Sequence, residues 1–357
     1  MAAQSRRRFF QLAMGAGGLA ALSYAWTRRS GSIALADPGY GAGILPTANA
    51  GEGAGTTGLQ SVSRTSYALG TDISMLALHR DRDVARQAID DAFAELETIE
   101  RVMSIYRPES ELSRLNRDGA IENPHPYLLD IMQRSQEMSR RSNGDFDITV
   151  QPLWDLYTAA KKKNKLPIDA EIDAARALVD WTKVDVSAKR ICFTRKGMSA
   201  TLNGIAQGYA GDKTAAALRK RGIEHALLNT GEIASIGKKA DGTPWTCGIQ
   251  HPRKPDAYIN LAKLDGLCLA TSGDYATYFT PDFVYHHIFD PATGRSPLFF
   301  SSATIVSANC TDADALTKPL FIGGVERGMK LIEETKSEAL VVFKDGTTMA
   351  TKGFPMA

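Results

Sequence analysis

The amino-acid sequence predicts an α+β fold, because helical and strand-like segments are mixed along the chain without strict βαβ alternation. A long apolar stripe with helical spacing occupies residues 83–103, and alternating or β-branched segments occupy residues 67–78 and 303–308. Strict alternation would instead favour a doubly wound parallel sheet. There is no internal repeat, so the sequence predicts one large domain, or two lobes that share a core.

The first half of this domain is predicted to begin with a strand over residues 67–78 and a helix over residues 83–103, with Asp83 as its cap. The apolar stripe of the helix consists of Val84, Ile89, Phe93, Leu96, Ile99 and Met103. The segments predicted to follow are helices over residues 126–139 and 169–179 and a strand or hairpin over residues 184–194.

In the second half, a helix over residues 210–221 is predicted to end before Gly222, a residue type that often follows a helix. Residues 225–237 are predicted to form a strand, a glycine turn and a second strand. The other predicted strands are residues 245–250, 267–271, 303–308 and 338–343, and the other predicted helices are residues 311–321 and 325–335.

The N-terminus has the pattern of an export signal. Three arginines, Arg6 to Arg8, precede a short apolar stretch over residues 12–26, and an Ala-x-Ala-like cleavage site ends at Ala36. The paired arginines favour a Tat signal peptide over residues 1–36, with a Sec signal or an uncleaved anchor as the alternative. Residues 37–62, rich in Gly, Ala and Thr, are predicted to be flexible, and residues 63–357 to form the folded domain.

Composition excludes several classes of protein. The net charge of +2 over the full chain includes several positive charges in the predicted signal, so nothing indicates nucleic-acid binding. The four cysteines form no C-x-x-C pair or zinc-type cluster with histidine, and any disulfide pairing cannot be assigned from sequence. The basic run at residues 161–165 is typical of a solvated loop.

The segment Asn203-Gly204-Ile205-Ala206-Gln207-Gly208 leads into the predicted helix at residues 210–221. Small residues allow a ligand close to the backbone, and a helix N-terminus presents free N–H groups to phosphate. The segment therefore indicates a pyrophosphate site. The alternative is a tight glycine turn that packs a helix on a sheet.

Several motifs occur together in one order. The loop above is followed by Asn229-Thr230-Gly231-Glu232-Ile233, Ala270-Thr271-Ser272-Gly273-Asp274-Tyr275, the segment His286 to Gly294, and an Asp-Ala-Asp-Ala-Leu run from residue 312. In this order they resemble the ApbE-type FAD:protein FMN transferases over about residues 68–343. The resemblance implies two intertwined α/β lobes with flavin between them. It also implies transfer of FMN from FAD to a Ser or Thr hydroxyl of another protein, with Mg²⁺ and release of AMP.

The resemblance also implies which residues contact FAD. Residues 104–116 and 144–154 match two further family motifs, in which Tyr106 can stack on a ring and Asp147 can make a polar contact. A core aromatic and a turn-capping aspartate are the ordinary alternatives for these two residues. The residues implied to bind FAD are Ser104, Tyr106, Glu111, Asn116, Asp147, Asn203, Gly204, Ile205, Ala206, Gly208, Ser272, Gly273 and His287.

The family's metal motif has an aspartate followed four residues later by a threonine, with a loop carbonyl nearby. Here Asp314 matches the aspartate, Ala206 lies in the loop, and Lys318 stands at the threonine position. A protonated lysine cannot bind Mg²⁺. Either Thr317, Asp312, water or a loop carbonyl completes a site with Asp314, or, as the favoured alternative, the Lys318 ammonium itself lies against Asp314 and the pyrophosphate. Pro319 is expected to bias its preceding residue away from the helical region.

His287 matches the family's motif histidine and is the predicted base, with Asp314 as the second catalytic residue. For either histidine of the pair, a structural hydrogen bond is the alternative. The resemblance is to an exported, periplasmic transferase of the NosX-like branch, whose acceptor is a membrane-associated flavoprotein of nitrous-oxide respiration. The competing hypotheses are an FAD-binding accessory or electron-transfer protein with little transferase activity, and a binding protein for another nucleotide. The mature chain is not predicted to span a membrane.

Overall fold

The computed structural model describes residues 42–44 and 58–357, which belong to one compact unit, Leu35–Ala357. The predicted signal peptide and most of the predicted flexible segment lie outside the described residues. Within that segment, residues 42–44 form a strand, and a second strand begins at Gln60, slightly before the predicted start of the domain. Among the described helices, none is long and apolar enough to cross a membrane.

The described residues form fourteen strands, all paired antiparallel. In chain order they are β1 (Ala42–Ile44), β2 (Gln60–Ala68), β3 (Thr71–His79), β4 (Ala120–Glu122), β5 (Val184–Val186), β6 (Arg190–Phe193), β7 (His225–Asn229), β8 (Ile233–Ile236), β9 (Trp245–His251), β10 (Lys254–Leu264), β11 (Cys268–Gly273), β12 (Phe300–Ser307), β13 (Glu338–Phe343) and β14 (Thr348–Ala350).

Seven α-helices lie between these strands in the described part of the chain. They are α1 (Arg82–Met103), α2 (Glu111–Asp118), α3 (Pro126–Arg141), α4 (Gln151–Lys162), α5 (Asp169–Arg176), α6 (Ala206–Lys220) and α7 (Cys310–Glu334). Short 3₁₀ turns at Ile148–Val150 and Trp181–Lys183 join several of them.

The centre is an eight-stranded sheet in the order β14-β13-β12-β11-β8-β7-β3-β2. On one face, α1, α6 and α7 pack against the sheet and against one another around the main hydrophobic core. On the other face, residues such as Leu227, Leu269 and Val306 pack against Trp245 and Ile249 of the three-stranded sheet β1-β9-β10. The antiparallel pairing and the segregation of helices to one face confirm the α+β prediction.

A smaller region closes one side of the domain. The sheet β4-β6-β5 lies beside α2 and α3, and a satellite cluster of Leu153, Tyr157, Ile172 and Phe289 joins α4 and α5 to the long connection between β11 and β12. This connection, residues 274–299, carries both neighbouring histidines and has only isolated bridges. It therefore forms an irregular cover beside the central sheet.

The helix predicted over residues 83–103 is confirmed as α1, but Asp83 is not its cap. Asp81 caps it, because its carboxylate accepts from the backbone N–H groups of Asp83 and Val84. The two helices predicted at residues 311–335 form α7, which breaks at Gly324 with φ 65° and ψ −157°. Pro319 lies inside the helical run, so the expected deviation before it is wrong.

Candidate functional site

Helices α6 and α7 cross at unusually close range, and glycine makes this possible. A Cβ atom on Gly208 would lie 2.2 Å from the backbone oxygen of Cys310, and one on Gly211 would lie 2.8 Å from the Cys310 sulfur. Asp212 of α6 also caps α7, since its carboxylate accepts from the N–H groups of Cys310 and Thr311 at 2.8 and 2.9 Å. The predicted loop glycine thus fixes the contact of two helices.

That contact creates a buried ion pair. The N–H of Gly208 donates to Oδ2 of Asp314 at 3.0 Å, and Nζ of Lys318 donates to Oδ1 at 2.5 Å. Nζ also lies 3.1 Å from the Asp314 backbone oxygen. The side chain of Asp314 is buried and that of Lys318 is mostly buried. In the loop that leads into α6, the residue that faces Lys318 is Gly204. A Cβ on Gly204 would lie 3.0 Å from Cε of Lys318, so the lysine stem runs along the loop backbone.

Strand β11 brings a second polar group to the pair. The hydroxyls of Ser272 and Thr317 lie 2.7 Å apart, and Thr317 donates to the backbone oxygen of Asp314 at 2.7 Å. Both hydroxyls are buried. Gly273 cannot carry a side chain, because its Cβ would lie 2.1 Å from the ring of Tyr275. The predicted Ser272-Gly273 segment therefore adjoins the Asp314–Lys318 pair.

Glu232 is a buried acid beside this pair. Its Oε2 accepts from the N–H of Thr271 at 3.1 Å. Burial first, and then the charge of Asp314, raises the pKa of Glu232 well above its ordinary value, with Lys318 acting in the opposite direction. This shift favours the protonated form of Glu232 beside the Asp314–Lys318 pair.

The two neighbouring histidines have different surroundings. Nδ1 of His287 lies 3.1 Å from the backbone oxygen of Thr277, and a carbonyl can only accept, so Nδ1 carries the proton. Burial, opposed by this hydrogen bond and assisted by the charge of Lys318, lowers the pKa of His287 to about 4. The neutral ring therefore keeps the lone pair of Nε2 available as a proton acceptor.

His286 is instead part of the core. Its Nε2 lies 3.1 Å from the backbone oxygen of Pro297, its ring packs edge-on against Phe321, and its N–H donates to Ser296. Burial lowers its pKa to about 3. These contacts give His286 a structural role.

A cavity of about 860 Å³ is separated from His287 by the side chain of Trp154. Trp154 joins the two, because its ring lines the cavity and meets the His287 ring edge-on with centroids 6.4 Å apart. Two residues that the sequence predicted to bind FAD also line the cavity, Asn116 and Tyr106, the latter 71% exposed. The wall further contains Gln151, Phe193, Arg195, Lys196 and Met198. The cavity can take a large planar ring with a charged extension.

Other predicted residues have contacts within the protein. Asp147 accepts from Thr149 and from the N–H of Trp181, so it caps a turn, and burial raises its pKa to about 6. Glu111 accepts from the N–H of His125. Ser104 accepts from the N–H of Tyr106. Asp147, Glu111 and Ser104 are outside the cavity lining.

Three loop residues complete the predicted set. Asn203 is exposed directly before Gly204, while Ile205 is buried and precedes the first residue of α6, Ala206. Asn116 ties this loop to α2, since its side chain exchanges hydrogen bonds with the backbone of Ala200 at 2.7 and 2.8 Å.

Sequence reasoning did not select Glu232 or Trp154 as site residues. Glu232 follows Gly231, which has φ +99°, in a motif between the loop and β11. Trp154 ends the motif at residues 144–154. Both residues lie within segments that match family motifs, and this position in the sequence is the signal that could have identified them.

The predicted ligand set Ala206, Asp314 and Thr317 does not fit Mg²⁺ in the observed arrangement. Mg²⁺ requires near-octahedral oxygen ligands. The Lys318 ammonium lies 2.5 Å from Oδ1 of Asp314, where a cation bound to that oxygen would lie. Among residues 58–357 there is also no cluster of three or more His, Cys, Asp or Glu side chains suited to a metal.

Curated relatives of this chain share the name FAD:protein FMN transferase. The chain is 31% identical over 261 residues to an FAD:protein FMN transferase of Vibrio cholerae, covering 70% of this chain and 77% of the relative. It is 28% identical over 273 residues to an FAD:protein FMN transferase of Escherichia coli K12, covering 72% and 77%.

Solved structures show the same fold. The flavinyl transferase ApbE of Pseudomonas stutzeri in its apo form superposes with a TM-score of 0.73 at 27% identity, covering 82% of this chain and 95% of that one. The ApbE protein of Thermotoga maritima gives a TM-score of 0.74 at 26% identity, with 82% and 97% covered. The sequence model of the ApbE family matches residues 69–343, which are most of the folded unit. This chain is a member of the ApbE family.

Proposed function

We propose that this protein transfers the FMN part of FAD to a Ser or Thr hydroxyl of a partner protein. The observation that carries the proposal is His287: its Nδ1 holds the proton, its ring contacts Trp154 of the cavity wall, and the charge of Lys318 acts on it. The relatives named FAD:protein FMN transferase support the same reaction. FAD is the substrate here, not a resident cofactor.

The reaction is a substitution at phosphorus. The acceptor hydroxyl oxygen forms a bond to the FMN phosphorus of the FAD pyrophosphate, the bond from that phosphorus to the bridging oxygen breaks, and AMP leaves with that oxygen. The hydroxyl proton passes to Nε2 of His287. The negative pyrophosphate, once bound, raises the pKa of His287 toward the working pH, because it stabilises the imidazolium.

The other groups act on the phosphoryl oxygens. The Lys318 ammonium provides a donor beside α6, where charge develops in the transition state. Tyr106 and Trp154 offer aromatic faces for the isoalloxazine or adenine ring. Asn116 keeps the loop before α6 in place.

Incubation of the purified protein with FAD and an acceptor peptide tests the proposal. The peptide carries the acceptor pattern Asp-x-x-Ser/Thr-Gly-Ala-Ser/Thr of the family, and the control peptide has both hydroxyl residues replaced by alanine. We expect AMP release and a covalently fluorescent peptide only with the first. The chain lacks this pattern, so its own FAD should be released on denaturation. Flavin retained on the denatured chain, or no labelled peptide, would contradict the proposal.

A second candidate function is an FAD-binding accessory or electron-transfer protein. It is supported by the ion pair of Lys318 with Asp314, because Asp314 is the predicted ligand of the metal that the transfer reaction of the family is expected to use. The same assay separates the two functions. Bound FAD without AMP release from any acceptor indicates the accessory role.

The proposed place of action is the periplasm, after Tat export, with a membrane-associated flavoprotein of nitrous-oxide respiration as acceptor. The support is the Arg6 to Arg8 cluster before the apolar stretch and the cleavage pattern at Ala36. Replacing Arg6, Arg7 and Arg8 with lysines should leave the precursor in the cytoplasm. Lysines at Arg28 and Arg29 are the control and should permit export. Normal periplasmic levels of the triple variant would exclude a Tat signal.

A further inference from the structure

The Asp314–Lys318 pair blocks the oxygens that a divalent cation would need. Oδ1 and the backbone oxygen of Asp314 lie 2.5 and 3.1 Å from the same ammonium, and Oδ2 accepts from Gly208. The ammonium therefore stands where a cation bound to Oδ1 or to the backbone oxygen of Asp314 would stand. A cation that displaced the ammonium would have to leave it unpaired in a mostly buried position.

The other two candidate ligands are engaged elsewhere. The Thr317 hydroxyl bridges to Ser272 and to the Asp314 backbone at 2.7 Å in each case. Asp312 accepts from the side-chain amide of Asn309 at 2.8 Å, at the cap of α7. Thr317 is thus held by β11 and by the α7 backbone, and Asp312 by the cap of α7.

The surrounding structure accommodates the lysine. The backbone at Gly204 leaves room for the stem of Lys318, so the ammonium reaches Asp314 from one helical turn away. Lys318 uses two of its three N–H donors on Asp314. The third N–H is available to an oxygen of a ligand.

The charges in the cluster also disfavour a divalent cation. The charges of Asp314 and Lys318 cancel. A dication at Asp314 would enter beside an ammonium that already lies 2.5 Å from the same carboxylate. A pyrophosphate oxygen would instead meet the remaining N–H donor of that ammonium.

We propose that the Lys318 ammonium takes the place of a divalent cation at the FAD pyrophosphate, so that this chain binds FAD without a metal. The proposal rests on the proposed function for the identity of the nucleotide. The exchange has a direct consequence: the chain should have little affinity for Mg²⁺, and threonine at position 318 should restore it.

Two measurements on the unaltered protein provide the first test. The dissociation constant of FAD, from quenching of flavin fluorescence, should change less than about twofold between excess EDTA and millimolar Mg²⁺. Mn²⁺ alone, followed by electron paramagnetic resonance, should remain free in solution. Loss of FAD binding in EDTA would overturn the proposal, and so would tight Mn²⁺ binding.

The variant Lys318→Thr provides the second test. We expect at least a tenfold gain in Mn²⁺ affinity and an FAD affinity that depends on metal. Lys330→Thr is the matched control, since Lys330 lies on the same helix with an acidic partner four residues away but is 76% exposed; it should behave as the unaltered protein. Equal Mn²⁺ affinity in both variants would show that residue 318 does not exclude the metal.

The FAD and Mn²⁺ measurements distinguish a failure of the proposed function from a failure of the proposed role of Lys318. An unaltered protein that binds no FAD under any condition contradicts the proposed function, while the Mn²⁺ comparison still decides the role of Lys318. If Lys318→Thr fails to fold by circular dichroism, Lys318→Gln serves in the FAD titration. It removes the charge and should weaken FAD binding in EDTA at least tenfold, and unchanged FAD affinity would overturn the proposal.

Discussion

Replacement of His287 by alanine should lower the rate of FMN transfer by about 10²–10⁴-fold while leaving FAD affinity within about threefold. The reason is that Nε2 receives the hydroxyl proton in the transition state, whereas the ring contributes to ground-state binding only through its edge contact with Trp154. Single-turnover measurements of AMP release, combined with FAD titration, separate the two effects. A variant with full transfer activity would exclude His287 as the base.

The neighbouring histidine supplies a sharp control. His286→Ala removes a buried ring that packs on Phe321 and donates to Pro297, so it should lower the melting temperature more than His287→Ala does. The transfer rate of its folded fraction should fall far less. His251→Ala, at the end of β9 and away from the cavity lining, should leave both quantities unchanged.

The pH dependence gives an independent readout of His287. Since kcat/KM reports the free enzyme, and the pKa of His287 is lowered to about 4, kcat/KM should be insensitive to His287 above about pH 5. Protonation removes the Nε2 lone pair, so activity should fall as the pH drops through 4. In the FAD complex the negative pyrophosphate raises this pKa, so the fall in kcat should occur at higher pH. Identical midpoints for the two parameters would argue against contact between His287 and FAD.

Elements with strong local signals were predictable from the sequence. The stripe in α1 has helical spacing over its whole length, and Gly324 separates two helical patterns where the structure has a left-handed residue. The cap of α1 was misplaced by two residues, because Asp81 and Asp83 are equally good caps in sequence and only the backbone turn decides between them.

Elements with weak local signals were missed. Helix α2 has only eight residues, and its charged surface gives a short apolar stripe of Leu112 and Leu115. Strand β10 carries Pro255 near its start, a residue that weakens a strand pattern. The basic run at residues 161–165 begins in the last turn of α4, where lysines interact favourably with the helix C-terminus.

The site itself depends on contacts that are distant in sequence. Gly208 was singled out for a phosphate, and its main observed role is to let α6 approach Asp314, 106 residues away. Motif position brought Ser272 and Asp314 into the predicted set, but the hydroxyl contact from Ser272 to Thr317 arises only when β11 packs under α7. Asp147 shows the converse, since its local capping bonds use the carboxylate that was predicted for the ligand.

The second large effect is expected for Gly208→Ala, which should destabilise the protein by about 3–5 kcal/mol. The new methyl group would lie 2.2 Å from the backbone oxygen of Cys310 and 2.7 Å from Cβ of Asp314. Neither neighbour is the end of a flexible chain, so the clash is relieved only if α7 moves away from α6. Urea denaturation of the purified variant measures the loss of stability.

Because α7 carries both Asp314 and Lys318, this movement should also weaken FAD binding in the fraction that stays folded. Gly204→Ala is the matched control: its methyl group would lie 3.0 Å from Cε of Lys318, a flexible side chain that can shift. We expect it to cost less than about 1 kcal/mol in stability, since the end of the lysine side chain can adjust. If the two variants were equally stable, close packing of α6 on α7 would not hold the Asp314–Lys318 pair in place. A folded Gly208→Ala protein with unchanged FAD affinity would separate the helix contact from the site.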